Sequence, residues 1–334
     1  MAGDDVQGIV AQGVRRSFGD VVAVDGLDLE APRGEVTALV GPNGAGKTTL
    51  LLVLATLLVP DEGTVRIAGH DPVTEPRAVR ARVGWMPDVF GTWETLTCRE
   101  VLTTVADAFR LPRAVSRPRI EELLELVHLS DLADRPTQVL SRGQKQRLGL
   151  ARALVHDPDV LLLDEPASGL DPRSRIELRG IVRDLAARGK AVLVSSHVLA
   201  ELDEMADRAV VVARGRTVAV ERLGADSATP LAGSLPHGRP ADGDSSGASV
   251  PVPRQPRGWR IRALDAAALQ AVLRRLERPA EPAGRDTVEV QVASDADAAD
   301  LLADLVAAGV RVVAFSPATG ALEQAYLSLT EDRR

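Results

Sequence analysis

Cysteine and lysine are both scarce in this sequence. Cys98 is the single cysteine, so no disulfide can form within the chain. No apolar signal-peptide core follows Met1, and we therefore expect a chain that stays in the reducing cytoplasm. The 40 basic residues include three lysines, Lys47, Lys145 and Lys190. Where an arginine-rich chain keeps a lysine, the position is a candidate site for a compact ammonium group.

Long apolar runs and an excess of positive charge are also missing. The longest apolar run, LLLVLATLLV from Leu50, has about half of the ~20 residues that span a bilayer, so we expect a buried core helix there. The chain has 47 acidic and 40 basic residues, and its charge does not favour a nucleic-acid partner. At 334 residues it is long enough for two globular parts.

A stretch rich in proline, glycine and serine divides the chain. Residues 224–257 hold 6 Pro, 5 Gly and 5 Ser in 34 positions, and we interpret them as a flexible linker because this composition cannot bury a core. Residues 1–223 form the first predicted domain. Residues 258–334 alternate strand and helix patterns, which predicts a small second α/β domain.

The first domain shows the pattern of an α/β fold with a mostly parallel sheet. The short apolar segments EVTALV, DVLLLDEP and KAVLVSSH are typical of parallel strands covered on both faces. Residues 172–189 begin with proline, end with glycine and place Ile176, Val182 and Leu185 at helical spacing. The segment RAVVVARGRTVAVE predicts a β-hairpin.

The segment GPNGAGKTT fits the phosphate-loop pattern G-x-x-x-x-G-K-[ST]. Glycines let backbone N–H groups wrap phosphate oxygens, Lys47 reaches the β and γ phosphates, and the Thr48 hydroxyl binds Mg²⁺. The predicted nucleotide-binding residues of this loop are Gly41, Pro42, Asn43, Gly44, Ala45, Gly46, Lys47, Thr48 and Thr49.

Two adjacent carboxylates follow the strand pattern VLLL. Asp164 and Glu165 should lie at the carboxyl edge of the sheet, where ligands bind in open parallel sheets. Because consecutive residues point differently, we assign Asp164 to Mg²⁺ and Glu165 to orienting or deprotonating the attacking water. His197 ends the next strand, and we assign it to the γ-phosphate. Solvated acids and a structural histidine are the alternatives.

Together with LSRGQ, residues 140–144, these motifs resemble the nucleotide-binding subunit of ATP-binding cassette (ABC) transporters. GPNGAGKTT is similar to the Walker A motif, LSRGQ to the signature loop, VLLLDEP to Walker B, SGLD (168–171) to the D-loop, and Ser196 with His197 to the switch. The resemblance covers roughly residues 7–222. It implies a P-loop NTPase cassette with an antiparallel β subdomain and a helical subdomain at about residues 88–155.

The resemblance also implies a dimer that encloses two ATP molecules with Mg²⁺. In the family, the signature loop contacts the γ-phosphate of an ATP held by the other cassette, which assigns Ser141, Gly143 and Gln144 to nucleotide binding. Asp171, in the D-loop, is assigned to nucleotide binding as well. The dipole of the helix that starts at Ser141 favours an anion there. Phe18 resembles the aromatic residue that stacks on adenine, with a core phenylalanine as the alternative.

Two residues depart from the family pattern. Arg142 replaces the usual glycine of the signature loop, and its side chain either points to solvent or adds a cation near phosphate. Asp88 stands where the family commonly has glutamine. A carboxylate at this position can ligate Mg²⁺ directly or through water, but it also adds negative charge beside ATP.

The resemblance implies an ATPase that docks, from the cytoplasmic side of the cell membrane, on a separate integral membrane permease. The C-terminal region resembles that of ABC-2-type exporter ATPases such as those of actinomycete drug-resistance pumps, so we predict export of a drug, lipid or other small molecule. The alternative is a soluble ABC-type ATPase, or an ATP sensor silenced by Asp88 and Arg142.

Other ATPase classes fit the sequence less well. Ribosome-acting cassette ATPases usually carry two cassettes in one chain. Chromosome-organising ATPases need a long heptad insertion, whereas here Leu140 follows Lys47 by 93 positions. A small-molecule P-loop kinase has no use for LSRGQ.

Overall fold

The computed structural model describes residues 8–89, 91, 93–196, 202, 204–223, 257–283 and 287–318. These residues form two compact units, one ending at Leu223 and one from Arg257 to Ala318, and each has its own hydrophobic core. Within these ranges, every helix is too short or too polar to cross a bilayer. His197, residues 224–256 of the predicted linker and the C-terminal residues 319–334 lie outside the described residues.

The first unit contains both strands and helices. Its described strands are β1 (Ile9–Phe18), β2 (Val21–Ala31), β3 (Val36–Val40), β4 (Glu62–Ile67), β5 (Val83–Met86), β6 (Val160–Asp164), β7 (Ala191–Ser196), β8 (Arg208–Ala213) and β9 (Arg216–Arg222). Its described α-helices are α1 (Lys47–Leu54), α2 (Pro76–Arg82), α3 (Cys98–Ala108), α4 (Arg113–Leu126), α5 (Arg142–Leu154) and α6 (Pro172–Ala187). Two short 3₁₀ turns, Ser130–Leu132 and Thr137–Val139, precede α5.

A six-stranded sheet forms the centre of this unit, in the order β5-β6-β7-β3-β8-β9. Neighbouring strands are parallel except β9, which is antiparallel to β8. All residues of β3, β6 and β7 are buried, because other elements cover both faces of the sheet. The parallel strands and the hairpin predicted from the sequence are confirmed.

A second, antiparallel sheet has the order β2-β1-β4. One hydrophobic cluster joins residues of both sheets with Leu50, Leu51 and Leu54 of α1. The apolar run from Leu50 is not helical throughout, however. The helix ends at Leu54, and Leu57 and Val59 are 57% and 58% exposed. The prediction of one buried helix is therefore wrong for the second half of the run.

Helices α3, α4 and α5 lie between β5 and β6 in the sequence. They pack against one another. Helix α3 begins with a capping box, in which the side chains of Thr97 and Glu100 each accept a hydrogen bond from the other residue's backbone N–H. Helix α6 lies against β3 and β7 and buries Leu178, Val182 and Leu185. Ile176, which shares the helical spacing of Val182 and Leu185 in the sequence, lies outside this buried stripe and is 59% exposed.

The second unit is a small α/β fold with its own sheet. Its described elements are β10 (Arg257–Ala263), α7 (Ala266–Arg275), β11 (Ala280–Pro282), β12 (Thr287–Val292), α8 (Asp295–Ala307) and β13 (Val312–Pro317). The sheet order is β11-β12-β10-β13, with antiparallel neighbours throughout. This is the split β-α-β arrangement of ferredoxin-like domains. Ile261, Leu269 and Leu305 lie in its core.

Candidate nucleotide-binding site

The phosphate loop connects β3 to α1, and two of its glycines are required by close backbone approaches. A Cβ atom at Gly41 would lie 2.2 Å from the carbonyl oxygen of Val212. Gly46 has a φ of 99° and caps the start of α1, and a Cβ there would lie 2.4 Å from the carbonyl oxygen of Ala23. The loop is therefore held against neighbouring strands in a conformation that side chains would prevent.

Lys47 is buried inside this loop. Its ammonium group donates to the carbonyl oxygens of Gly41 at 2.7 Å and Pro42 at 3.2 Å. Burial lowers the pKa of Lys47, and the nearby carboxylates of Glu165 and Asp164 oppose that shift. The loop thus holds a desolvated cation at the start of α1, where the helix dipole also favours an anion.

Asp164 is buried at the end of β6, and both of its carboxylate oxygens accept hydrogen bonds. The hydroxyl of Thr48 donates to Oδ2 at 3.2 Å, and the hydroxyl of Ser195 donates to Oδ1. Thr48 and Asp164, the two residues assigned to Mg²⁺, are therefore in direct contact. Ser195 was not identified from the sequence, although its place in VLVSSH gave it a position at the same sheet edge.

Glu165 leaves the strand in a left-handed backbone conformation, with a φ of 49°. Its N–H donates to the carbonyl oxygen of Ser195 at 3.1 Å and lies 3.3 Å from the Ser195 hydroxyl. Its side chain is half-buried. The turn that follows is closed by the N–H of Ser168, which donates to the Glu165 carbonyl oxygen at 3.0 Å. Backbone hydrogen bonds with Ser195 and Ser168 thus fix the point from which the Glu165 side chain projects.

These groups surround one pocket of about 550 Å³. Its lining includes ten residues that the sequence assigned to the site: Asn43, Gly44, Ala45, Gly46, Lys47, Thr48, Thr49, Asp88, Asp164 and Glu165. Four lining residues were not among those assigned: Val21, Val22, Ala23 and Ser168. The first three reach the pocket from β2, which is close in space because β2 packs on α1.

Phe18 does not line the pocket. Its side chain is 47% exposed, and the guanidinium of Arg16 lies 4.9 Å from the centre of its ring. The apolar wall of the pocket is formed instead by Val21 and Val22, on the far side of the turn that follows Phe18. Adenine stacking by Phe18 stays a prediction.

The residues of the signature loop lie outside this pocket. Ser141 caps α5, where its hydroxyl accepts from the N–H of Gln144 at 3.2 Å and the Gln144 side chain accepts from the N–H of Ser141 at 2.9 Å. The Ser141 hydroxyl hydrogen and the N–H of Gly143 in the first helical turn remain suited to an anion. Ser141, Gly143 and Gln144 are absent from the lining of the pocket.

Asp171 caps α6. Its carboxylate accepts from the N–H and the hydroxyl of Ser174 at 3.0 and 2.7 Å, and these hydrogen bonds lower the pKa of Asp171. Asp171 is exposed and is not part of the pocket lining. His197, which was assigned to the γ-phosphate, lies outside the described part of the chain.

The donor set of the pocket fits Mg²⁺. Among the described residues, no cluster of three or more His, Cys, Asp or Glu side chains could hold a metal ion by itself. Thr48, Asp164 and Asp88 offer only oxygen atoms to the pocket. Oxygen donors are what Mg²⁺ prefers, and it is commonly held by one or two carboxylates together with substrate phosphates.

Comparison with known proteins agrees with this geometry. The family profile described as ABC transporter matches residues 24–168. The daunorubicin resistance ATP-binding protein DrrA3 of Streptomyces coeruleorubidus is 44% identical over 211 residues, which cover 63% of this chain and 67% of that protein. The Nod factor export ATP-binding protein I of Paraburkholderia xenovorans is 42% identical over 206 residues, covering 62% of this chain and 68% of that protein.

Solved structures are similar over the same part of the chain. An ATP-binding subunit of an ABC transporter superimposes with a TM-score of 0.60 and 28% identity, over 64% of this chain and 90% of that one. A dimeric ATP-binding cassette in a post-hydrolysis state, bound to ADP and phosphate, gives a TM-score of 0.59 and 26% identity, over 65% of this chain and 99% of that one. The α/β cassette fold predicted from the sequence is confirmed.

Proposed function

Because the chain belongs to the ABC transporter family, we propose that it is the ATP-hydrolysing subunit of an exporter and drives a separate membrane permease. The observation that carries this proposal is the separation of two nucleotide-binding elements. Lys47, Asp164 and Glu165 share one pocket, whereas the signature loop caps α5 outside it. In the proposed dimer, a second chain supplies its signature loop to complete each site.

The residues assigned to the nucleotide have distinct roles in the proposed reaction. Lys47 binds the β and γ phosphates through its buried ammonium group. Thr48 and Asp164 hold Mg²⁺, which neutralises negative charge on the phosphates when it is bound. Glu165 orients the attacking water and accepts its proton. His197 contacts the γ-phosphate.

The second chain supplies the remaining groups. Ser141 and the N–H of Gly143, at the start of α5, bind the γ-phosphate of the partner's ATP, and Gln144 holds Ser141 in place through the capping box. Asp171 lies in the adjoining loop, at the start of α6. The assembly is a homodimer with two such composite sites.

The names of the relatives support a class of transported molecule for the proposed exporter. The two relatives are named for daunorubicin resistance and for Nod factor export, which supports an ABC-2-type exporter of a drug, lipid or other small molecule. The permease forms the transport path, and the subunit binds to it from the cytoplasmic side of the membrane.

The domain division is part of the same proposal: a cassette at 1–223, a linker at 224–257 and an accessory domain at 258–334. A chain that ends at Leu223 should bind ATP with the affinity of the full chain, because the proposed site residues all precede that position. Measuring ATP affinity for both forms tests the division. Lost binding by the shorter chain would mean that the second unit completes the site.

Complementation between two damaged chains tests the composite site. Lys47→Ala removes the phosphate-binding cation, and Ser141→Arg blocks the signature loop. In a mixed dimer, one site receives both changes and the other is intact. Both proteins also carry Glu165→Gln, so that hydrolysis is blocked and ATP-dependent dimerisation of differently labelled chains can be measured. We expect the mixed dimer to exceed both parental dimers.

An equal deficiency of all three dimers, with both proteins verified as folded, would show that the signature loop does not act on the partner's nucleotide. Phosphate release by the chain with an intact Glu165 separates the ATPase from the alternative of an ATP sensor, which binds ATP without turnover.

A further inference from the structure

Arg142, the residue that departs from the signature pattern, contacts the D-loop of its own chain. Its Nη2 atom donates to the hydroxyl of Ser168 at 2.8 Å. Its stem crosses Gly169 so closely that a Cβ there would lie 2.6 Å from both Cδ and Nε of Arg142. Gly169 has a φ of 74°. The D-loop glycine therefore provides both the turn and the space that the arginine occupies.

Ser168 belongs to the nucleotide pocket as well. It lines the pocket beside Glu165, and its N–H closes the turn onto the Glu165 carbonyl oxygen at 3.0 Å. A short series of contacts thus leads from Arg142, in the first turn of α5, through Ser168 to the residue assigned to the attacking water. All three residues are in one chain.

Two further contacts fasten the start of α5 to the D-loop and to α6. A Cβ at Gly143 would lie 3.2 Å from Cδ2 of the buried Leu170. One turn further along α5, Nη2 of Arg147 donates to the Ser174 hydroxyl at 2.6 Å. The first turns of α5 and the D-loop are therefore packed directly against each other.

We propose that Arg142 is a positioning residue that couples the signature loop of a chain to Glu165 of the same chain through Ser168. The inference rests on the proposed function, in which the signature loop binds the partner's ATP. Binding at one composite site then adjusts the water-orienting carboxylate at the other. Arginine suits this role because its stem packs on Gly169 while its planar head holds the hydroxyl in a fixed direction.

This role differs from the two expected for Arg142, namely a side chain in solvent and a cation on phosphate. A cation on phosphate would contribute to ATP-dependent dimerisation, because it would bind the partner's nucleotide in the ground state. A coupling residue contributes to turnover, and its effect depends on the Ser168 hydroxyl. The two roles therefore predict different measurements.

The experiment compares Arg142→Ala, Ser168→Ala and the double variant in the full chain. We expect each single variant to lower kcat about fivefold to tenfold, and the double variant to be no worse than either one, because both changes break the same contact. Arg142→Lys, which keeps a donor on an unbranched stem, should recover part of the loss. Arg173→Ala, an exposed arginine in the first turn of α6, is the matched control and should retain full turnover.

ATP-dependent dimerisation is measured in parallel with Glu165→Gln added to each variant, and it should stay within about twofold of the value for the unaltered Arg142. Losses that multiply in the double variant, unchanged turnover in Arg142→Ala, or a dimerisation defect confined to Arg142→Ala would each overturn the coupling. If the chain with intact Arg142 and Ser168 hydrolyses ATP without ATP-dependent dimerisation, the proposed function fails and the coupling fails with it.

Discussion

Ser195 anchors the carboxylate of Asp164. The two residues are paired across the parallel strands β6 and β7, and the Ser195 hydroxyl donates to Oδ1 of Asp164 while it lies 3.3 Å from the N–H of Glu165. One buried hydroxyl therefore contacts both residues of the adjacent acidic pair. Oδ2 of Asp164 accepts from Thr48 on the other side.

This contact predicts that Ser195→Ala weakens Mg²⁺ binding without removing a metal ligand. Hydrogen bonds to a ligating carboxylate orient it, so the Mg²⁺ concentration that half-saturates ATP hydrolysis should rise about tenfold. Ser17→Ala is the control, because it removes a similar bond, from Ser17 Oγ to Asp61 Oδ2 at 2.7 Å, and Ser17 is not part of the pocket lining. Equal Mg²⁺ titrations for both variants would exclude this role of Ser195.

Glu165→Gln should preserve ATP and Mg²⁺ binding but lower hydrolysis about 10²-fold to 10⁴-fold, because the amide cannot accept the proton of water. ATP should then accumulate on the dimer, which size-exclusion chromatography with labelled nucleotide would detect. Glu125→Gln, an exposed glutamate on α4, is the control with normal turnover. Near-normal phosphate release by Glu165→Gln would remove this residue from catalysis.

Asp88 is exposed at the edge of the pocket, and two substitutions test whether it serves the metal. Asp88→Ala should raise the Mg²⁺ requirement for hydrolysis because a carboxylate donor is lost, whereas Asp88→Gln, which restores the family's usual residue, should preserve Mg²⁺-dependent activity. Asp131→Ala, at an exposed position away from the pocket, is the control. If neither substitution at Asp88 alters the Mg²⁺ titration, Asp88 is a surface residue that does not serve the metal.

The burial of His156 predicts that the protein loses stability in mild acid. Its ring stacks on Phe109 with centroids 3.8 Å apart, Nε2 lies 3.0 Å from the Val83 carbonyl oxygen, and burial lowers its pKa to about 4. Because the unfolded chain takes up this proton near the ordinary pKa of about 6.5, the free energy of unfolding should fall as the pH drops from about 6.5 to about 4. The linked loss is on the order of 3 kcal/mol.

Urea unfolding as a function of pH checks this prediction. His156→Phe keeps a ring against Phe109 and should remove much of the slope between about pH 6.5 and pH 4. His128→Asn, at an exposed position with a φ of 54° that asparagine tolerates, should leave the slope unchanged. The same slope in His156→Phe and the parent chain would assign the acid sensitivity to other groups.

Local pattern and strand polarity were enough to predict the phosphate loop and the two carboxylates from the sequence. The phosphate loop needs glycines and Lys47 within a few residues of one another, and Asp164 and Glu165 follow directly from a strand whose carboxyl end must reach the ligand edge of a parallel sheet. The pocket brings these residues together. The same local pattern located the start of α5 at Ser141.

Which distant residues support that site depends on how separate elements pack. The register of β6 against β7 pairs Ser195 with Asp164, the packing of β2 on α1 brings Val21 and Val22 to the pocket, and the docking of α5 on the D-loop directs Arg142 to Ser168. None of these pairs shares a local pattern, because each is set by how separate elements pack. Short-range constraints in the sequence thus specify the phosphate-binding chemistry, whereas long-range packing selects the residues that hold that chemistry in place.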